Sequence, residues 1–310
     1  MDVLSDILGD LQLQGSIYFS SHFCRPWGIS INSSDKASFH IVEKGRCWLK
    51  MAHLERAVQL ESGDVIVLPH GCYHELSDDP KTLCRDGDTV INAVMTGQNP
   101  FASGGEPLDI VCGYFKYTYE RRMPFINALP ELIILRQQDR NNFNWLDMVL
   151  KLVVSESRTA EQGKNALLNR VTEILFIQVL RAYIELNQRS DGFISALNDN
   201  KIAKALTVIH QSPANDWTVD SLAAVAGMSR TSFATSFHSK VGEPPISYLL
   251  SHRMHKAKQR IRDTSLPLSV IAEEVGYQSD SAFKKAFKRY FEVTPASFRQ
   301  SKIQQKIKQG

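Results

Sequence analysis

The chain has 310 residues, of which 43% are hydrophobic and 22% charged, enough to bury the cores of two domains. No run of about 18 apolar residues occurs, which argues against a membrane-spanning protein. The net charge is only +3, but residues 201–310 carry +9 and the first 200 residues carry −6. A basic segment behind an acidic body is typical of a protein that binds a polyanion, and the alternative is a solvated basic surface.

The cysteines indicate a reducing compartment. They are odd in number, widely spread and form no C-x-x-C pair, which does not favour a disulfide framework. They are Cys24, Cys47, Cys72, Cys84 and Cys112. The start, Met1-Asp2-Val3, lacks the basic region of a secretory signal. We therefore expect a cytoplasmic protein with no membrane partner.

The first part of the chain predicts a short helix followed by a β-rich domain. Apolar residues at helical spacing predict the helix; they are Val3, Leu4, Ile7, Leu8 and Leu11. From Ser16 to about Tyr119, short strands alternate with turns. Examples are residues 38–42, 47–51, 65–68 and 89–94. This spacing predicts a small β-barrel or jelly roll.

One motif inside this region is specific. From Gly63 the order is glycine, five residues, Pro69, one residue, Gly71, two residues and His74. It predicts a turn, a buried strand and a second turn that presents His74 at the mouth of the barrel. The segment resembles the second motif of the cupin family, and residues 40–45 resemble a degenerate first motif. At least two of the ligands that metal-binding cupins use are missing, since Ser38 stands where one histidine would be and no glutamate lies at the usual spacing. The resemblance therefore does not imply cupin-type catalysis.

His40 and His74 allow three interpretations. They are polar residues bonded to the backbone or to each other, or they contact a ligand in the barrel. In the third, His40 and His74 hold a metal together with thiols such as Cys47, Cys72 or Cys112. No cofactor is certain.

From about Pro124 to Gln188 the pattern becomes helical, with an interruption at Leu129-Pro130. One helix begins at Asn144 and a longer one covers residues 165–186 with a wide apolar stripe. This stripe packs on the barrel or forms the seam of a dimer. Residues 191–200 are polar and mark a domain boundary.

The last hundred residues contain an internal duplication. In both copies a glycine precedes two phenylalanines, a proline and a closing aromatic residue. From the first phenylalanine the steps are 4, 12 and 15: Phe233, Phe237, Pro245 and Tyr248, then Phe283, Phe287, Pro295 and Phe298. Each copy predicts two helices across a tight glycine turn, a helix-turn-helix. A helix over residues 246–262 separates the copies and spans about 25 Å, a useful length beside major-groove faces roughly 34 Å apart.

This segment resembles the DNA-binding domain of the AraC/XylS family of bacterial transcription factors. The residues that carry the resemblance include Trp217, Leu222-Ala223, Gly227, Arg253, Ile271-Ala272, Val275-Gly276 and Thr294-Pro295. Glu292 departs from the family, which usually has glycine there; it costs roughly 1 kcal/mol if the site needs positive φ. The resemblance implies a transcriptional regulator rather than an enzyme. It also implies double-stranded operator DNA, a small-molecule effector, a homodimer and RNA polymerase as partners.

Two sets of residues are candidates to face DNA, one on each second helix. The first is Ser229, Arg230, Thr231, Ser232, Thr235 and His238; the second is Gln278, Ser279, Asp280, Ser281, Lys284, Lys285 and Lys288. Arg230 can bond guanine bidentately, and Gln278 can read adenine or bond a phosphate. The lysines suit phosphates, which position a protein without specifying sequence.

Together these features predict an α+β multidomain chain. We expect a cupin-like sensor barrel over residues 1–125, a helical linker with possible dimerisation helices over 126–190, and a DNA-binding domain with two helix-turn-helix motifs over 200–301. Two alternatives are a metal-dependent cupin with a DNA-binding tail and a non-specific nucleoid protein. The missing ligands argue against the first, and the sensor-like barrel argues against the second.

Overall fold

In the computed structural model, the β-rich and the helical parts of the chain each have a hydrophobic core of their own. The structure describes residues 3–11, 13–102, 104–117, 124–187 and 192–301. One unit, the barrel unit, comprises Gln12–Tyr119 and Leu129–Asn187. The other, the helical unit, comprises Met1–Leu11, Glu120–Ala128 and Gln188–Gly310. An N-terminal segment therefore belongs to the unit formed mainly by the C-terminal residues.

The barrel unit contains two five-stranded sheets in the described residues. Their strands are β1 Gln14–Cys24, β2 Gly28–Ile31, β3 Ala37–Lys44, β4 Arg46–Lys50, β5 Val58–Glu61, β6 Val65–Leu68, β7 His74–Ser77, β8 Arg85–Asp86, β9 Pro107–Lys116 and β10 Ile133–Leu135. The orders are β1-β9-β3-β6-β10 and β5-β4-β7-β2-β8, and the paired strands are antiparallel apart from β2 with β8. Apolar side chains of both sheets share one core, which includes Phe23, Trp27, Leu49, Leu60 and Leu68. The predicted β-rich domain is confirmed.

Strand β3 lies inside its sheet, between β6 and β9, and its first six residues are buried. Its register places His40 opposite Cys112 of β9 and opposite Ile66 of β6. The pattern of strand pairing thus brings a buried histidine beside a buried cysteine 72 positions away in the sequence.

The prediction of a strand over residues 89–94 is wrong. The segment forms helix α2, Gly87–Met95, which follows the N-terminal helix α1, Val3–Asp10. Asp86 caps α2 by accepting a hydrogen bond from the backbone N–H of Thr89. Val90, Ile91 and Val94 face the core at helical spacing, a pattern that a short β-branched run conceals.

Two long helices complete the barrel unit. They are α4 Asn144–Arg158 and α5 Lys164–Leu186. Two short elements precede them in the chain: α3, Pro124–Asn127, which belongs to the helical unit, and a 3₁₀ helix at Gln137–Asn142. The buried stripe of α5 packs on the sheet, with the rings of Phe176 and Phe115 4.8 Å apart. Gly15 of β1 allows this approach, since a Cβ there would lie 2.5 Å from the side chain of Thr172. Most of the predicted apolar stripe is therefore barrel packing. Strand β10, within the region predicted to be helical, pairs with β6.

The helical unit confirms the duplicated helix-turn-helix pattern. Its further helices are α6 Phe193–Asn198, α7 Asn200–Gln211, α8 Val219–Ala226, α9 Arg230–Val241, α10 Pro245–Asp263, α11 Leu268–Glu274 and α12 Asp280–Phe291. Helices α8 and α9 form the first motif, and α11 and α12 form the second. The paired phenylalanines of α9 and α12 are fully buried, as predicted for core residues. Helix α1 packs against α7 and α10.

Among the described residues, no helix combines the length and the apolar character that crossing a membrane requires.

Candidate nucleic-acid interface and ligand cavity

The first helix-turn-helix is fixed by local backbone chemistry. Thr218 and Ser221 form a capping box at the start of α8. Gly227 ends that helix with a φ of 63°, a conformation that suits glycine. Ser229 then caps α9 by accepting from the backbone N–H of Ser232. The turn therefore holds the start of α9 in a defined orientation to α8.

The candidate residues of the first motif are available to a partner. Ser229, Arg230, Thr231, Ser232, Thr235 and His238 are all exposed. The guanidinium of Arg230 forms an ion pair with Asp220 on α8. Both side chains are largely exposed, so water weakens the pair and Arg230 can exchange Asp220 for another acceptor.

The second motif repeats this arrangement. Gly276 has a φ of 83°, and Ser279 caps α12 by accepting from the backbone N–H of Ala282. Its candidate residues are exposed except for Asp280, which is half-buried; the exposed ones are Gln278, Ser279, Ser281, Lys284, Lys285 and Lys288. Asp280 pairs with Lys284 one turn along α12. Lys284, Lys285 and Lys288 all lie on the exposed side of α12.

Helix α10 connects the two motifs. Its 19 residues span about 28 Å. Arg253 of α10 donates to the backbone oxygens of Pro213 and Asn215 at 2.7 and 2.9 Å. Arg253, one of the residues that carry the family resemblance, thus anchors the loop before α8.

A cavity of about 190 Å³ lies in the barrel unit. Most of its lining is apolar, and Phe19, Phe23, Trp27, Ile91 and Ile110 contribute. Its polar lining includes Tyr18, Asn32, Lys36 and Asp88. The ammonium of Lys36 lies 4.3 Å from the centre of the Tyr114 ring, a cation–π contact. Such a cavity suits a small, mainly apolar molecule with few polar groups.

His40 and Cys112 also line this cavity, and they belong to a buried chain of hydrogen bonds. His40 Nδ1 lies 2.9 Å from Cys112 Sγ, and His40 Nε2 lies 2.8 Å from His74 Nε2. His74 Nδ1 lies 2.9 Å from the backbone oxygen of Cys72, so this nitrogen donates. With neutral rings, His40 Nε2 then donates to His74, and the Cys112 thiol donates to His40 Nδ1.

The pKa values favour this assignment of protons. Burial lowers the pKa of His74 to about 4, and burial together with the neighbouring His74 lowers the pKa of His40 well below its usual value. Burial also raises the pKa of the Cys112 thiol well above its usual range and that of Cys47 to about 12. Both rings are therefore neutral at pH 7 and both thiols keep their protons.

His74 is fully buried, so the prediction that it lies at the barrel mouth is wrong. Strand β7 begins at this residue, which lies opposite Ile31 of β2, and its ring contacts His40 of the other sheet. Cys112 and His74 contact opposite nitrogens of His40. These three side chains therefore form a hydrogen-bonded chain, whereas metal ligands converge on one point.

Sequence reasoning missed the partners that lie far away in the chain. Asp220, which pairs with Arg230, and Lys36, at the cavity, carry no motif. The residue pattern of a single helix gives no signal for a contact between side chains on different elements.

The comparisons with known proteins agree with these two domains. A family model described as "Cupin" matches residues 2–185, and one described as "Helix-turn-helix domain" matches residues 222–301. The chain is 31% identical to the HTH-type transcriptional regulator AlkR of Acinetobacter baylyi over 305 residues, which cover 97% of this chain and 99% of that protein.

Two further relatives extend over the whole chain. The RCS-specific HTH-type transcriptional activator RclR of Escherichia coli is 30% identical over 97% of this chain and 98% of its own length. An uncharacterized HTH-type transcriptional regulator of Haemophilus influenzae is 29% identical over 97% of this chain and 99% of its own. With its duplicated helix-turn-helix behind a cupin domain, the chain belongs to the AraC-type family of DNA-binding transcriptional regulators.

Proposed function

We propose that α9 and α12 read the operator DNA of this regulator through the thirteen candidate residues. The observation that carries the proposal is that the two helices repeat one geometry. Each helix begins at a serine cap and buries a pair of phenylalanines on one side. On the other side each helix exposes polar and basic residues. Recognition helices of helix-turn-helix proteins contact base edges with residues at their N-terminal end.

Arg230 and Gln278 are the proposed base readers, because they lie at the starts of the two helices. Arg230 bonds guanine after it leaves Asp220, and Gln278 bonds adenine or a phosphate. Lys284, Lys285 and Lys288 bond phosphates. The hydroxyls of Ser229 and Ser279 accept from the backbone as caps and still have a proton to donate to a phosphate.

Arg230→Ala and Lys285→Ala test this division of roles. Loss of a base contact lowers the free-energy gap between cognate and scrambled DNA by about 1–3 kcal/mol, whereas loss of a phosphate contact weakens binding to both and lowers the salt slope by about 1. Fluorescence anisotropy with both duplexes, over a series of salt concentrations, measures both effects. Lys81→Ala, which removes an exposed lysine of the barrel unit, is the control. Unchanged discrimination by Arg230→Ala contradicts the assignment of base reading.

We also propose that a small molecule in the barrel cavity controls DNA binding. The mainly apolar lining, together with a few polar groups, supports a compact apolar effector. His40 lines the cavity, but both of its ring nitrogens are hydrogen-bonded, so a hydrogen bond from His40 to the effector requires displacement of Cys112 or His74. His74 does not line the cavity, so it acts by holding His40.

Ile91→Phe tests the cavity because the larger ring occupies space that Ile91 lines. Val94→Phe is the matched control, since Val94 is also partly buried on α2 but does not line the cavity. A panel of small aromatic and aliphatic compounds is screened by ligand-observed NMR. Compounds that bind the wild type and Val94→Phe are expected to lose binding to Ile91→Phe and to change the affinity for DNA. If Ile91→Phe binds the same compounds, this cavity is not the effector site.

We propose that residues 126–190 link a sensor to the DNA-binding domain at 200–301, and that α4 and α5 present the homodimer surface. Because a full-length relative is named an activator, RNA polymerase is a proposed partner. The relatives are named regulators and the His40 chain is internally satisfied, so we propose a non-catalytic protein that acts in the cytoplasm.

A further inference from the structure

Three helices of the helical unit converge on a cluster of buried polar side chains. Asp6 lies on α1, His210 on α7 and His252 on α10. Asp6 Oδ2 lies 2.6 Å from His210 Nδ1 and 3.7 Å from His252 Nε2. One ligand atom from each residue falls within 4.8 Å of the other two. Both histidine side chains are 5% exposed and that of Asp6 is 13% exposed.

His252 is the residue that hydrogen bonding does not explain. Its Nε2 atom is buried and has no hydrogen-bond partner among the described residues. A buried polar atom without a partner costs free energy, so such atoms are rare in folded proteins. This nitrogen is aimed at the same carboxylate oxygen that His210 contacts.

The three candidate ligand atoms lie within 4.8 Å of one another, and neighbouring residues orient two of them. Lys256 Nζ lies 3.8 Å from Asp6 Oδ1, the other carboxylate oxygen, and so orients Oδ2 toward the imidazoles. His210 Nε2 lies 2.7 Å from the hydroxyl of Tyr248. At 2.6 Å from the carboxylate, His210 Nδ1–H donates to Asp6 Oδ2. An ion that displaces this proton binds the Nδ1 lone pair while Nε2–H donates to the Tyr248 hydroxyl, as in metal-bound histidines whose second nitrogen donates to a neighbour.

We propose that Asp6 Oδ2, His210 Nδ1 and His252 Nε2 bind a divalent transition-metal ion, of which zinc is the type. Two imidazole nitrogens and one carboxylate oxygen are a common ligand set for such an ion. At metal–ligand distances of about 2.0–2.2 Å, tetrahedral ligand atoms lie about 3.3–3.5 Å apart. The 2.6 and 3.7 Å distances bracket this range, so small side-chain rotations open the site.

The ion ties α1 to the DNA-binding unit. It links the first described helix to α7 and to α10, the connector of the two helix-turn-helix motifs. Lys256 carries a positive charge beside the site and is 32% exposed, so its ammonium can turn toward water when the ion enters. The three ligands are neither among the residues that line the barrel cavity nor among those proposed to face DNA.

The test is a zinc titration of the full-length chain after removal of metal by a chelator. We expect one zinc ion per wild-type chain, and a loss of affinity of at least about tenfold in Asp6→Asn, His210→Gln and His252→Gln. His53→Gln, which removes an exposed histidine of the barrel unit, is the control and keeps wild-type affinity. Circular dichroism of each variant shows whether it folds. Equal zinc affinity in all folded variants overturns the proposal.

A second measurement decides the matter if the variants do not fold. X-ray absorption of the zinc-loaded wild type is expected to show two imidazoles, oxygen ligands and no sulfur. Sulfur in the first shell would place the ion with cysteines such as Cys112, in the barrel unit, and would overturn the assignment. Failure to bind zinc stoichiometrically overturns it as well.

Discussion

Glu292 is the one residue other than glycine with a positive φ in the described chain, at 65°. It ends α12, and the equivalent end of α9 is Gly242, with a φ of 89°. A side chain in this left-handed region costs about 1 kcal/mol or more. The two copies of the motif therefore meet the same backbone requirement with different residues.

We expect Glu292→Gly to raise the free energy of unfolding by about 1 kcal/mol, because glycine relieves this strain. Gly242→Ala is the reciprocal change and is expected to lower it by about the same amount. A Cβ at Gly242 meets no atom within 4 Å, so its effect reports the backbone alone. Urea unfolding of the full chain measures both. If Glu292→Gly is no more stable than the wild type, the positive φ at this position does not lower the free energy of unfolding.

The buried chain from Cys112 to Cys72 predicts a dependence on pH. The pKa of His74 falls from 6.5 to about 4 on folding, so below pH 6.5 the unfolded chain binds a proton that the folded chain does not. Its contribution is fully present above pH 6.5 and is lost as the pH falls toward 4. Between pH 7 and pH 5 we expect a loss of about 2 kcal/mol from this residue.

His74→Gln tests the source of this loss. Urea unfolding at pH 7 and pH 5, followed by tryptophan fluorescence, is expected to show a smaller fall for His74→Gln than for the wild type. His53→Gln, an exposed histidine of the same unit, keeps the wild-type fall. An unchanged fall in His74→Gln would mean that other groups control acid unfolding.

At the scale of the element, α4 and α5 expose apolar side chains on the surface of the barrel unit. Met148 is 71% exposed and Leu152 43% on α4, and Leu167 and Ile174, seven residues apart on α5, are 43% and 45% exposed. The predicted seam included the buried stripe of α5, but that stripe packs on the barrel. The side chains that remain exposed are the ones available to a second copy.

We expect Leu167→Lys with Ile174→Lys to weaken the proposed homodimer by at least about tenfold, because both charges would lose their hydration in the interface. Sedimentation equilibrium measures the dissociation constant. Met95→Lys is the control, since Met95 is 68% exposed on α2 and lies outside this surface. A dimer of unchanged affinity in the double variant would place the interface elsewhere.

The elements show which patterns a sequence reveals. The helix-turn-helix pairs were predictable because their spacing occurs twice and because glycine and serine mark the turns at Gly227 and Ser279. Residues 89–94 were misassigned because β-branched residues obscured a helix that Asp86 caps from outside the segment. The buried strand β10 was missed because three residues are too few to show a period.

At the scale of the molecule, the two-domain architecture was predictable from the sequence. The residues that form its sites were predictable only in part. The charge asymmetry and the duplication indicated the DNA-binding half. The cavity and the cluster of Asp6, His210 and His252 carry no sequence signal, since their members come from elements brought together only by folding. Sequence analysis also assigned the first residues to the domain over 1–125, whereas Met1–Leu11 fold with the helical unit.

The membership of α1 in the helical unit has a consequence for synthesis. Asp6 is made 204 residues before its partner His210. At about 5–20 residues per second, the ribosome needs about 10–40 s to supply that partner. For most of this interval Val3 and Ile7 of α1, and Leu11 just after it, lack the helices α7 and α10 on which α1 packs in the folded protein. The nascent chain must therefore keep the apolar face of this helix soluble while the barrel unit is made, and the helical unit is completed only after α7 and α10 have been made.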